Sequence, residues 1–117
     1  MTFLSLPVSK AVRIVGDNLV NGIRVIDAEL TLTSSASRSW QGVNTTVNIV
    51  GILINEVEVV GPSPDKPPIT EHINEPIILD TNSFKVYTNT HVGHMWSVIL
   101  RIYGDNLNRR IAMFIGS

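Results

Sequence analysis

The sequence predicts an all-β protein, an antiparallel β-sandwich of about eight to ten short strands, on three observations. First, the apolar residues are of the branched kind: the 117 residues include 14 Val, 14 Ile and 9 Thr against 4 Ala. Branching at Cβ costs rotamer freedom in a helix and packs well on a pleated surface, whereas Ala is the best helix former. Second, several segments alternate apolar and polar residues with period two, and none sustains a 3.6-residue period. Third, the 10 Asn, 8 Gly and 6 Pro supply turn chemistry between those segments. Jelly-roll and immunoglobulin-like topologies both suit the pattern. The length fits one domain, residues 1–117, with residues 1–9 an extended arm.

Along the chain, residues 3–8 read as that arm, interrupted by Pro7, since proline belongs at a strand edge or bulge. Residues 11–20 are a strand that ends in Asn21-Gly22, a dipeptide whose two residues tolerate positive φ and so mark a hairpin. Residues 26–33 alternate cleanly, with Ile26, Ala28, Leu30 and Leu32 on one face and Asp27, Glu29, Thr31 and Thr33 on the other. Residues 34–39 form a polar loop. Residues 43–60 are the longest strand-like stretch, and in its middle Val50, Ile52 and Ile54 make both faces apolar. A strand apolar on both sides is covered on both sides, by its own domain or by a partner. Gly51 offers a bend and Asn55-Glu56 a turn, so the stretch is one long strand or two. The Pro-rich segment 61–68 is a stiff connection biased toward polyproline II, and its Pro64-to-Pro67 spacing also fits a PxxP ligand. Residues 77–79, 84–90, 95–103 and 111–115 complete the strands, with Trp96, Val98, Leu100 and Ile102 sharing a face.

An internal echo joins the two ends of the chain. Arg13-Ile14-Val15-Gly16-Asp17-Asn18-Leu19 reappears as Arg101-Ile102-Tyr103-Gly104-Asp105-Asn106-Leu107. Gly, Asp and Asn accept left-handed backbone conformations, so both copies are expected to carry the same bulged corner, in opposed positions on the sandwich. Gly16, Asp17, Asn18, Asn21, Gly22, Gly104, Asp105 and Asn106 are thus the expected structural turns. The strand–Gly-x-Asn-Leu–strand pattern resembles the opening hairpin of bacterial IPT/TIG immunoglobulin-like modules, over about fifteen residues per copy. No functional residue is carried over from it.

The chemistry-bearing residues are sparse. The net charge is −1, only 16% of residues are charged, and the one basic pair is Arg109-Arg110, so no footprint for nucleic acid is present. With no Cys, disulfide and thiolate chemistry are excluded. Residues 1–10 lack the basic and apolar regions of a secretory signal, and the apolar run 49–54 is too short to span a bilayer, so no membrane insertion is expected. The sequon at Asn44 therefore carries no meaning. His91 and His94 point to opposite faces of a strand unless Gly93 turns them together, and His72 and Glu71 lie elsewhere. Asp17, Asn18, Asp105 and Asn106 are too few for a calcium site, which gathers roughly six to eight oxygens. There is no nucleophile elbow, phosphate loop or paired carboxylate set. No catalytic residue, metal or cofactor is assigned.

The function expected on these grounds is a non-enzymatic structural or assembly subunit acting through protein–protein contacts. By analogy with small Cys-free β-sandwiches, it is placed in a virus or phage particle as capsid decoration, cement or a tail-associated component. Low charge, the two-sided apolar strand and the N-terminal arm support this, with homo-oligomers or other structural subunits as partners. Phe3, Leu4, Leu6, Trp40, Val50, Ile52 and Ile54 are the expected interaction residues. The alternative is a carbohydrate-binding or immunoglobulin-like adhesion module that presents an exposed Trp40 to glycan.

Overall fold

A computed structural model describes residues 8–34, 40–63, 75–90, 95–107 and 110–116. They form eight strands: β1 (Val8–Val20), β2 (Ile23–Ser34), β3 (Trp40–Val50), β4 (Ile52–Pro62), β5 (Ile77–Ile78), β6 (Ser83–Thr90), β7 (Met95–Asn106) and β8 (Ala112–Gly116). A first sheet has the order β1-β2-β7-β4 and a second the order β5-β6-β3-β8, with all pairs antiparallel. The fold is therefore the all-β sandwich that composition and alternation predict. Val8 and Ser9 of the expected arm belong to β1, and Gly61 and Pro62 of the expected Pro-rich loop to β4; residues 1–7 and 64–68 lie outside the described residues.

The strand order selects between the two topologies. β2 pairs with β7 and β3 with β6, while β1 lies beside β8 and β4 beside β5 across the open corners. A ribbon folded so that strands from the two halves meet in this nested way is a jelly roll. In an immunoglobulin-like sandwich the second strand pairs with the fifth instead. Two departures stand out: β1 bonds to β2 rather than β8, and β5 bonds to β6 rather than β4.

Alternation places the core between the sheets. Ile26, Ala28, Leu30 and Leu32 from β2 and Val98, Leu100 and Ile102 from β7 face Val47 and Ile49 from β3 and Phe84 and Val86 from β6. Ile52, Ile54 and Val57 of β4 complete it. The two-sided apolar stretch now has a local cause. Odd positions point inward in β3, but Gly51 (φ 108°) carries the chain from one sheet to the other and even positions point inward from Ile52. Asn55 is an extra residue opposite β7, which restores odd positions inward at Val57. Two phase changes, not two buried faces, make Ile52 and Ile54 adjoin Val47 and Ile49 in sequence.

The crossing exposes backbone groups that need partners. The turn between β5 and β6 supplies them: Ile49 N–H donates to the Asn82 carbonyl (2.7 Å) and Ile54 N–H to that of Thr81 (2.9 Å). The Asn82 side-chain amide donates to the Ile52 carbonyl (3.3 Å), and Leu107 N–H donates to that of Gly51 (2.9 Å). Asp80 shapes this turn by accepting the Asn82 N–H (2.8 Å). One core position breaks the apolar pattern. Thr45 is fully buried, and its Oγ1 has no hydrogen-bond partner among the described residues. Thr45→Val keeps the shape and removes an unsatisfied hydroxyl, so a gain of about 1 kcal/mol is expected, read as a raised urea midpoint.

Asn21 (φ 52°) and Gly22 (φ 83°) form the two-residue turn between β1 and β2, both with positive φ as a type I′ hairpin requires. The other expected turn residues do not turn. Gly16-Asp17-Asn18 continues β1, with Val15 the extra residue just before it, and Gly104-Asp105-Asn106 continues β7 without a bulge. The bulge near the second copy is on its neighbour β4, at Asn55. Nor are the copies opposed: both flank β2, run parallel and finish at the same end of the first sheet. The glycines serve close approach instead. A β-carbon on Gly104 would stand 2.6 Å from the Leu53 carbonyl oxygen, and one on Gly16 3.3 Å from Asp27 Cβ. Because the Gly-Asp-Asn segments extend their strands, β1, β2 and β7 run 13, 12 and 12 residues rather than being short.

Candidate interaction surfaces

Of the residues that sequence reasoning assigns to interaction, Phe3, Leu4 and Leu6 lie outside the described residues. Trp40 opens β3 with its backbone paired to Thr90, and its side chain is outside the description. Ile52 and Ile54 are core residues, 0% and 8% exposed, and do not reach a surface. Val50 does, at 52%.

The outer face of the first sheet is charged and internally paired. Arg13 Nε donates to Glu29 Oε1 (3.0 Å). Arg101 donates from Nε and Nη2 to the two oxygens of Asp27 (2.8 and 3.1 Å), a fork-to-fork pair that raises the guanidinium further above its ordinary range. Tyr103 donates its hydroxyl to Glu58 (2.7 Å), and that hydrogen bond, then desolvation, raises the phenol above its usual value. The Thr31 and Ser97 hydroxyls meet at 2.8 Å. This ladder crosses all four strands.

At the hairpin end the inner face of the same sheet turns polar. Arg24 on β2 donates from Nε and Nη2 to the two oxygens of Asp17 (2.8 Å each) and from Nη1 to Asn106 Oδ1 (3.1 Å). The echo therefore has a structural meaning. Its two arginines bond to neighbouring carboxylates of β2, and its two polar ends are clamped by one arginine of β2. The Val15 bulge shifts the first copy by one place, so Asp17 does there what Asn106 does in the second. A cation binds the pair already, and it is the protein's own guanidinium. The hydrogen bond from Arg24 holds the Asp17 carboxyl below its usual range. A lowered carboxyl pKa adds stability above the unfolded value that is lost as pH falls through the folded one. Arg24→Gln is therefore expected to lose less stability than the parent between about pH 5 and pH 2, read as urea midpoints across that range.

The outer face of the second sheet is different in kind. β3 presents Asn44, Thr46, Asn48 and Val50, and β8 presents Ala112, Phe114 and Gly116, paired side by side as Thr46–Gly116, Asn48–Phe114 and Val50–Ala112. Neither strand carries a formal charge there, and Phe114 is 57% exposed. Lys85 and Tyr87 of β6 border this surface. Sequence reasoning missed Phe114 because residues 111–115 are apolar throughout, leaving no polar alternation to mark the outward side.

Among the described residues, no three His, Cys, Asp or Glu come together to hold a metal ion, and no helix is long and apolar enough to cross a membrane. Glu71, His72, His91 and His94 lie outside the described residues. Comparison with protein-family models, with curated proteins and with solved structures found no match.

Proposed function

We propose that this chain is a non-enzymatic structural subunit that works by assembly with copies of itself or with other subunits, in a virus or phage particle as decoration, cement or a tail-associated component. The observation that carries the reading is the contrast between the two outer faces. One pairs Arg13 with Glu29 and Arg101 with Asp27, while the other offers an uncharged strip with Phe114 and Val50 exposed. Exposed aromatic and aliphatic side chains on a charge-depleted surface suit the centre of a protein–protein contact. The placement in a particle rests on fold-level analogy with small β-sandwich subunits.

Native mass and sedimentation across a concentration series test the reading. An oligomer is expected that Val50→Lys and Phe114→Lys weaken without changing the circular-dichroism spectrum, since both side chains are already in water. A chain that stays monomeric, binds no particle and responds to glycans through tryptophan fluorescence would favour the carbohydrate-binding alternative.

A further inference from the structure

We infer that the free edge of β8 is a self-pairing site, and that its partner is β8 of a second copy, joined antiparallel about Phe114 so that the second sheet continues across a two-fold axis. This deepens the assembly reading and rests on it. An exposed sheet edge offers unpaired backbone donors and acceptors, and folded proteins guard such edges with charge, proline, bulges or brevity. Three of the four edges here are guarded. β1 has the Val15 bulge and carries Lys10, Arg13 and Asp17. β4 has bulges at Asn55 and Val60, carries Glu56 and Glu58 and ends in Pro62. β5 is two residues long. β8, Ala112-Met113-Phe114-Ile115-Gly116, has no charge, no proline and no bulge; β1 of the first sheet lies beside it across the corner, but among the described residues nothing hydrogen-bonds beyond it in its own sheet.

The order of residues along β8 suits a second copy as the occupant. Antiparallel pairing about a two-fold axis sets the central residue against itself and each flanking residue against its mirror position. On the outer face this puts Phe114 opposite Phe114, with Ala112 opposite Gly116 on either side. Diagonal neighbours in an antiparallel pair lie within reach of an aromatic ring, so each ring has a small residue of the other copy to cover. On the inner face Met113 meets Ile115. Both pack against the core yet are only partly buried, as is Ile111. A charged residue at any of these places would oppose the pairing, and none is present.

The chain contains no cysteine, so single thiols report the register directly. Phe114→Cys brings two thiols to the same place across the axis, whereas Leu79→Cys, also exposed, stands beyond the opposite edge of the sheet. Under mild oxidation, full-length Phe114→Cys is expected to form the covalent dimer at least tenfold faster than Leu79→Cys, with native mass of the unsubstituted chain read alongside. Equal rates in the two variants overturn β8 pairing. If the unsubstituted chain is then oligomeric, the assembly reading stands and uses another surface; if it is monomeric, both fall. Rapid cross-linking of Phe114→Cys only after deletion of residues 1–7 also overturns the inference, since the edge is then held by the chain's own N-terminus.

Discussion

Phe84→Ala is expected to destabilise the fold by about 3–5 kcal/mol, the range for truncating a buried phenylalanine. Among the described residues Phe84 is the largest fully buried side chain, placed on β6 opposite Val47 and packed against the first sheet. Sheets about 10 Å apart fill the gap with interlocking side chains, and backbone hydrogen bonds keep them from closing over a void. Domains of this size carry roughly 5–15 kcal/mol in total, so the variant should stand near the unfolding threshold at 25 °C. Its urea midpoint should fall while the slope of the transition holds. Phe114→Ala, measured at a protein concentration low enough to keep the chain monomeric, is the control: the same truncation at a side chain 57% exposed should change stability by about 0.5 kcal/mol or less. Equal effects at the two positions would mean that the in–out assignment of the second sheet is wrong.

Gly104→Ala is expected to cost about 3 kcal/mol, the upper end of the usual range for overpacking. The new methyl would come to 2.6 Å from the Leu53 carbonyl oxygen and 2.8 Å from Ile52 Cδ1. The first is backbone held in the β4–β7 ladder, and the second belongs to a fully buried side chain at the crossing between sheets. The carbonyl cannot withdraw without breaking pairing, and the side chain moves only by repacking the core around it. The atoms nearest a methyl placed by Gly16→Ala in the other copy of the echo belong to the Asp27 side chain, with Cβ at 3.3 Å and Oδ2 at 3.4 Å. That side chain is partly exposed and its pair with Arg101 has room to shift, so a change of about 1 kcal/mol or less is expected. Thermal or urea unfolding of both variants reads the difference, and similar losses would contradict the account of the echo.

The residues that specify the fold class are legible because β-sheets write themselves into sequence with period two. The stretch 26–33 and the face shared by Val98, Leu100 and Ile102 are read correctly without any structure, and Asn21-Gly22 marks its hairpin because few other dipeptides tolerate two positive φ angles. What misleads is a change of phase. Ile52 and Ile54 look like a second sticky face because one-residue shifts at Gly51 and Asn55 are invisible to a fixed period. The echo misleads for a related reason: Gly, Asp and Asn signal turns by their freedom, yet here they make close packing at Gly104 and a clamp for Arg24. Strand order depends on long-range pairing, such as β1 with β2 and β2 with β7, which local pattern does not encode. The interaction surface is the least legible part, because an exposed apolar residue such as Phe114 looks like core until its neighbours are placed.

The phase changes are the point on which the account turns, since they separate core from contact surface along one continuous apolar stretch. Single cysteines introduced one at a time from position 47 to position 59, in a chain that has none of its own, measure this through their rates of alkylation in the folded protein. Protection is expected at 47, 49, 52, 54 and 57, with rapid reaction at 48, 50, 55 and 56. Strict alternation through the whole range, or protection of 50 together with 49 and 52, would contradict it.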